Sequence, residues 1–212
     1  TSTYFVMALY GGIYGIHTSL KWGGLGTLVG RAIFMFSLGL FMQVFGQIVY
    51  SYYMYLSFPR IEIPYPSLGD IGFFGTIPLY IYGELLLAKS SGIKVSMQSF
   101  KKKIIAVVIP LIMLIISYLI FLQDYKLDFK DPVKTFLDFG YPLGDAIYIS
   151  IAIIIFLFSR NVLDGIMRSK ALLILIALVI QFLADYLFLY NSRSATYYPG
   201  NYVDFTYLIA YF

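Results

Sequence analysis

Ile63-Pro64-Tyr65-Pro66-Ser67-Leu68-Gly69-Asp70-Ile71-Gly72-Phe73-Phe74 separates two long apolar segments of this chain. Proline fixes φ and keeps the residue before it out of the helical region, so the first segment cannot run on. Glycine permits the tight reversal. An aspartate in the first turn of the second segment caps free N–H groups and meets the positive end of the helix dipole. The stretch therefore predicts a turn between two helices. The phrase returns at Tyr141-Pro142-Leu143-Gly144-Asp145-Ala146-Ile147-Tyr148. A looser copy stands at Tyr198-Pro199-Gly200-Asn201-Tyr202-Val203-Asp204-Phe205. Each copy predicts the start of an apolar helix.

Composition sets the solvent. Hydrophobic residues make up 60% of the chain and charged ones 12%, and mean hydropathy is +0.81. A soluble domain would carry about twice that charge. The expectation is an all-α, polytopic integral membrane bundle, a single domain over residues 1–212. Cysteine is absent and His17 is the one histidine, which leaves no thiol chemistry, no His-based metal site and no cofactor to expect. The net charge of +4 does not point to nucleic acid. Its densest run, Lys101-Lys102-Lys103, abuts an apolar helix, where topology and anionic lipid account for it. The lipid bilayer is the expected partner.

Crossing about 30 Å of hydrocarbon takes roughly 20 apolar residues. About seven spans are predicted, at Tyr4–Leu20, Ala32–Leu56, Ile71–Ala88, Ile104–Leu122, Leu143–Ser159, Ala171–Tyr190 and from Val203 onward. Gly11, Gly12 and Gly15 interrupt the first, and the seventh is incomplete. The fourth to sixth are uniformly apolar and predict lipid contact, whereas the second and third carry more polar and small residues. The chain opens on Thr1 and stops at Phe212 inside an apolar run, so both ends read as cut.

Lys and Arg orient such a bundle. Lys21, Arg31, Lys89, Lys94, Lys101, Lys102, Lys103, Arg160, Arg168 and Lys170 follow spans one, three and five. Arg60, Lys126, Lys130, Lys134 and Arg193 follow the even spans. The larger set predicts the cytoplasmic side, with the N-terminus outside and the last helix ending in the cytoplasm. All three aspartate phrases then face outward, with every acid except Glu84 and Asp164. Tyr50, Tyr52, Tyr53, Tyr55, Tyr186, Tyr190, Tyr197, Tyr198 and Tyr202 crowd the same level, as an interfacial aromatic belt would.

Counting back from the aspartates deepens the repeat. Gln47 lies 23 residues before Asp70, Gln123 lies 22 before Asp145, and Gln181 lies 23 before Asp204. Three related hairpins are predicted, at approximately 32–88, 104–159 and 171–212, preceded by a helix over 4–20. Gln43, Gln47 and Tyr50 share one helix face, and Gln181 and Asp185 repeat the four-residue spacing. Interhelical hydrogen bonding explains these polar groups. The sharper alternative is an outward-open cavity with Asp70, Asp145, Asp185 and Asp204 at its rim, taking a cation or a small polar ligand.

Asp185 lies near a helix C-terminus, where the dipole disfavours it, so Arg193, a tyrosine hydroxyl or a bound cation is expected to hold it. Glu84 is the candidate buried acid of the opposite half. Pairing with Lys89 is its simplest expectation, and Pro78 between Asp70 and Glu84 predicts a kink. Enzyme readings lack residues. The Gly-Asp phrases omit the first glycine of the intramembrane aspartyl protease signature and have no partner Tyr-Asp motif. No lysine follows Lys170 to hold a retinal, and no phosphate loop or zinc motif is present.

The run Gly46-Gln47-Ile48-Val49-Tyr50-Ser51-Tyr52-Tyr53, together with Ile63–Phe74, resembles a recurrent membrane module. It is similar to the multi-pass N-terminal sensory region of bacterial and archaeal diguanylate cyclases (GGDEF proteins) and histidine kinases. Tyr141–Asp145, Ala184–Tyr186 and the set Pro199, Gly200, Asp204, Tyr207, Leu208 and Tyr211 come in that family's order. The resemblance covers about 31–212 and implies a sensory or scaffold role, coupled to a cytoplasmic output domain or partner protein. No output domain lies within these 212 residues. A signal-transduction module is the first functional expectation. A small transporter or channel is the alternative, and a subunit of a membrane assembly or homo-oligomer the third.

Overall fold

The computed structural model describes residues 5–57, 63–90, 99–123, 125, 130–159, 165–194 and 196–211, with backbone alone at 159 and 165–171. Arg60, Lys94, Lys126, Arg160 and Asp164, used above for orientation, lie outside the described residues, as do the side chains of Arg168 and Lys170. Among the described residues seven α-helices succeed one another: α1 (Phe5–Lys21), α2 (Leu28–Leu56), α3 (Gly69–Ser90), α4 (Phe100–Ser117), α5 (Pro132–Ser159), α6 (Gly165–Arg193) and α7 (Tyr202–Tyr211). Among the described residues there is no strand. Five helices, α2 to α6, are long and apolar enough to cross a membrane. The chain is a polytopic helical bundle.

Local chemistry sets most boundaries. A short 3₁₀ turn, Gly24–Gly26, ends the first reversal, and the Thr27 hydroxyl accepts from the Gly30 amide to cap α2. At α3 the Ser67 hydroxyl accepts from the Gly69 amide, while Asp70 accepts from the Ser67 amide and hydroxyl at 2.7 and 3.1 Å. That reciprocal arrangement is a capping box with aspartate in the third position. The first copy of the phrase starts a helix as expected.

The second copy does not. α5 begins at Pro132, eleven residues before the expected Leu143, and Pro142 lies inside it. The start is Asp131-Pro132: the Asp131 carboxylate accepts from the Lys134 amide at 2.9 Å, and proline suits the first helical position, where its missing N–H is not needed. Pro142 supplies no amide to the Asp138 carbonyl one turn earlier, and the Tyr186 hydroxyl of α6 donates to the Pro142 carbonyl at 3.1 Å, tying α5 to its neighbour there. Asp145 is thereby carried to mid-helix and caps nothing. Gln123, its expected counterpart to Gln47, is exposed.

Packing follows chain order, with one exception. α1 packs on α2 and α2 on α3; α3 crosses to α5, α5 packs on α6 and α6 on α7, which returns to α1. Six helices thus close a ring, and α4 lies outside it against α5. The pairs α2–α3, α4–α5 and α6–α7 realise the three expected hairpins. α4 is mostly exposed, as its apolar surface predicted, but α5 is half buried, the most of the five long helices. Lipid and protein interior are equally apolar, so composition cannot separate a lipid-facing helix from a central one. Tyr148, Ile149, Ala152, Ile155 and Phe158 of α5 form the core with Leu86 and Leu87 of α3 and Leu175 and Leu178 of α6.

The closest seam is α2–α3. A methyl built on Gly72 would meet the Gly46 nitrogen and the Met42 carbonyl oxygen, both at 2.5 Å. The Thr76 hydroxyl reaches across to the Gly39 carbonyl at 3.2 Å. Small residues let the two backbones touch, which is how helices associate where no hydrophobic force acts between them. Gly72→Ala is expected to lower unfolding stability in detergent by about 1–3 kcal/mol. Gly26→Ala, whose methyl would meet nothing within 4 Å, is expected to leave it unchanged. Thermal or steric-trap unfolding of both variants checks this.

Candidate functional site

The ring encloses a cavity of about 830 Å³ at the end where α2 and α6 finish and α3 and α5 begin. Pro64, Tyr65, Lys134 and Arg193 stand at its mouth, and Tyr80, Tyr148, Asp185 and Tyr207 line its depth. Asp70 and Tyr80, both on its wall, are ten residues apart on α3, which is about 15 Å of helix rise. Its size is that of a site for a small organic molecule.

At the mouth, two tyrosines converge on an acid that the sequence does not single out. Tyr65 and Tyr125 each donate to Asp138, both at 2.7 Å. Burial and the Asp138 carboxyl push the Tyr65 phenol above its usual range, so it stays a donor. The guanidinium of Arg193 is used for structure. It donates to the Ile120 and Phe121 carbonyls at 2.9 and 3.0 Å, within the π-helical turn Tyr118–Leu122 that ends α4, where carbonyls lack helical partners.

Asp70 serves helix and cavity together. One oxygen closes the capping box, and the other accepts from the Tyr141 hydroxyl of α5 at 2.8 Å. Gln43, Gln47 and Tyr50 of α2 line the same wall, the face expected from their spacing.

Asp185 is the deepest knot. Its carboxylate accepts from Tyr148 of α5 at 3.0 Å, from Tyr207 of α7 at 2.9 Å, and from Gln181 one turn earlier at 2.9 and 3.2 Å. Tyrosine hydroxyls, rather than Arg193, hold this acid. Gln181 does not reach the cavity; it orients Asp185, and its own carbonyl oxygen is buried without a partner among the described residues. Asp145 lines the same cavity from α5. Its residue surface is 3% exposed, yet its carboxyl receives no hydrogen bond from the described residues.

Two further candidates fall elsewhere. Asp204 is not on the cavity wall: it accepts from the Gly200 amide at 2.6 Å and from Tyr197 at 3.0 Å, locking the turn into α7. Only Tyr197, on its other side, reaches the cavity. Glu84 is fully buried below the cavity, and both its carboxyl oxygens lack a hydrogen-bond partner among the described residues. Lys89 does not pair with it, because five residues along a helix turn the side chains about 140° apart.

Tyr65, Tyr125, Asp138, Tyr141, Tyr148 and Tyr207 were not legible as site residues. Tyr148 stands three after Asp145 and Tyr207 three after Asp204, a helical spacing that places each beside an acid. An interfacial belt absorbs tyrosines just as well. Tyr52, Tyr55, Tyr190, Tyr198 and Tyr202 are exposed as a belt requires, whereas Tyr50 and Tyr197 line the cavity.

No family model, curated protein or solved structure matches the chain. Among the described residues no three His, Cys, Asp or Glu side chains converge as a metal-ligand set. The carboxyl groups instead occupy successive levels of one elongated cavity.

Tyr148→Phe and Tyr207→Phe each remove one donor from Asp185. Each is expected to cost about 0.6–1.7 kcal/mol, the range of interhelical hydrogen bonds in membranes. The double variant should fall short of the sum, since both act on one carboxylate. Unfolding of the two singles and the double in the same detergent measures it.

Proposed function

We propose that this chain is the membrane-embedded receptor part of a signalling protein, taking a small ligand in the cavity between its helices. The observation that carries this reading is the cavity's closed floor. Tyr80 and Tyr148 line it, and both belong to the packed core that continues below with Leu86, Leu87, Ile155 and Leu175. A ligand can enter from one side and is held there. A transporter needs a polar path through the second half, where Glu84 is the one acid buried among the described residues.

The means of response is α7. Tyr207 and Tyr211 of this helix both line the cavity, and Tyr207 is bonded to Asp185. A ligand that competes for Asp185 therefore acts on α7 directly, and a helix shift of that kind is a known form of switching. The resemblance to the sensory region of diguanylate cyclases and histidine kinases agrees with this arrangement. An output domain or partner protein on the cytoplasmic side would read the shift. The basic residues Lys21, Arg31, Lys89 and Lys101–Lys103 orient the opposite end of the bundle toward the cytoplasm of a prokaryotic inner membrane, which opens the cavity outward.

The chain contains no cysteine, so topology is directly readable. Cysteines introduced at Ser194 and Tyr198 are expected to react with an impermeant thiol reagent in intact cells, and one at Ser99 is not. The reverse pattern overturns the orientation. For the receptor reading, ligands found by thermal stabilisation of the purified chain should change amide exchange in α7 more than in α4. Binding without any change in α7 removes the sensory role. Flux of sodium, potassium or a bound ligand into proteoliposomes above that of empty vesicles replaces it with transport.

A further inference from the structure

The cavity is built for one sign of charge. We infer that its ligand is a small organic ammonium ion, with Asp145 as the counter-ion and the tyrosine-lined depth receiving the ligand's apolar body. The inference rests on the receptor reading above and names the ligand class of that same cavity.

Asp145 carries the argument. A buried carboxyl group ordinarily finds hydrogen-bond partners, and every other acid on the wall does so: Asp70 has Ser67 and Tyr141, Asp138 has Tyr65 and Tyr125, and Asp185 has Tyr148, Tyr207 and Gln181. Asp145 is buried, faces the cavity and has none among the described residues. A carboxylate left open in a low-dielectric space is a site for a donor that the protein does not supply. Its neighbour strengthens the case. Asp185 lines the same cavity, and a cation bound there meets two acids rather than one.

Basic side chains do not compete for this position. Lys134 and Arg193 are the two on the wall. Both are exposed at the mouth, and Arg193 is engaged by the α4 carbonyls. Acids prevail over bases at depth.

Geometry selects an organic cation over a bare metal ion. No three ligand side chains converge among the described residues, and a cavity of about 830 Å³ far exceeds the space one ion needs. The walls offer aromatic rings beside the acids: Tyr80 packs edge-on to Tyr148 with centroids 6.2 Å apart, and both line the cavity. Aromatic faces attract an ammonium group by cation–π interaction and bury its hydrocarbon part. The Gln43 side chain on the wall supplies a neutral hydrogen-bonding group for a polar substituent.

The test is titration calorimetry on the chain in lipid nanodiscs, with phenethylammonium, tetramethylammonium and spermidine as cationic probes. 2-Phenylethanol is the neutral counterpart of the first and phenylacetate the anionic one; sodium chloride controls for bulk cation. At least one ammonium probe is expected to bind, and phenethylammonium at least about tenfold more tightly than 2-phenylethanol, as one charge-assisted contact provides. Asp145→Asn, with helicity and melting confirmed, is expected to abolish that preference. If that variant does not fold, the charge series on the unaltered chain still decides. Equal binding of phenethylammonium and 2-phenylethanol overturns the ammonium inference and leaves the receptor reading standing. Charge preference that persists in Asp145→Asn removes Asp145 as counter-ion. If none of the ammonium probes binds, a proton shared between Asp145 and Asp185 accounts for the pair, and the inference is wrong. Binding of no probe of any charge speaks against the receptor reading as well.

Discussion

An acid inside an apolar bundle must find its partners within the protein. Asp185 is where this chain meets that requirement. It sits on α6 and accepts from a tyrosine of α5, a tyrosine of α7 and a glutamine of its own helix. Apolar helices slide past one another at little cost, because lipid and protein offer the same contacts. A carboxylate with fixed donors on two neighbours does not permit sliding. Tyr148 extends the constraint by packing edge-on against Tyr80 of α3 and Phe182 of α6. One polar knot thus sets the relative heights of four helices, and the cavity floor is its upper surface.

The other side of the ring is held differently. α2 and α3 touch backbone to backbone through Gly46 and Gly72, which draws the α3 N-terminus and its Asp70 against the wall. Asp70 then joins α3 to α5 through Tyr141. A tight small-residue seam on one side and bulky hydrogen-bonded tyrosines on the other leave the ring unevenly filled. The cavity is the remainder. The same physics explains why Asp145 stands apart: Tyr148 is committed to Asp185 and Tyr141 to Asp70, so the two α5 tyrosines nearest Asp145 point their hydroxyls elsewhere.

Repeated sequence phrases do different work in different surroundings. Ser67–Asp70 forms a capping box, and Asp204 locks a turn, much as their local chemistry suggests. Tyr141–Asp145 has the same letters but lies inside α5, because Asp131-Pro132 starts that helix earlier. A proline interrupts a helix in water more readily than one packed within a membrane bundle. The copy that fails as a helix start is the one that delivers an unpartnered acid to the cavity. Glu84 carries the same lesson for side-chain pairing. Proximity to Lys89 in sequence suggests a salt bridge, and the angle between the two positions on the helix forbids it.

The solvent, the element type and the local ends of helices were determined by the sequence alone. Apolar runs of membrane-crossing length, backbone breakers between them and carboxylates at first turns are consequences of residue chemistry over a few positions, so they can be read one stretch at a time. The shared face of Gln43, Gln47 and Tyr50, and the candidacy of Asp185, were legible for the same reason, since helical spacing is local. Tertiary structure alone decided which apolar helix is central and which faces lipid, because both surroundings select the same residues. It alone separated the belt tyrosines from those of the cavity, and it placed Asp145 opposite Asp185 across forty residues of chain. Those outcomes depend on which helices become neighbours and at what height, and that is set by contacts between distant segments that no single stretch encodes.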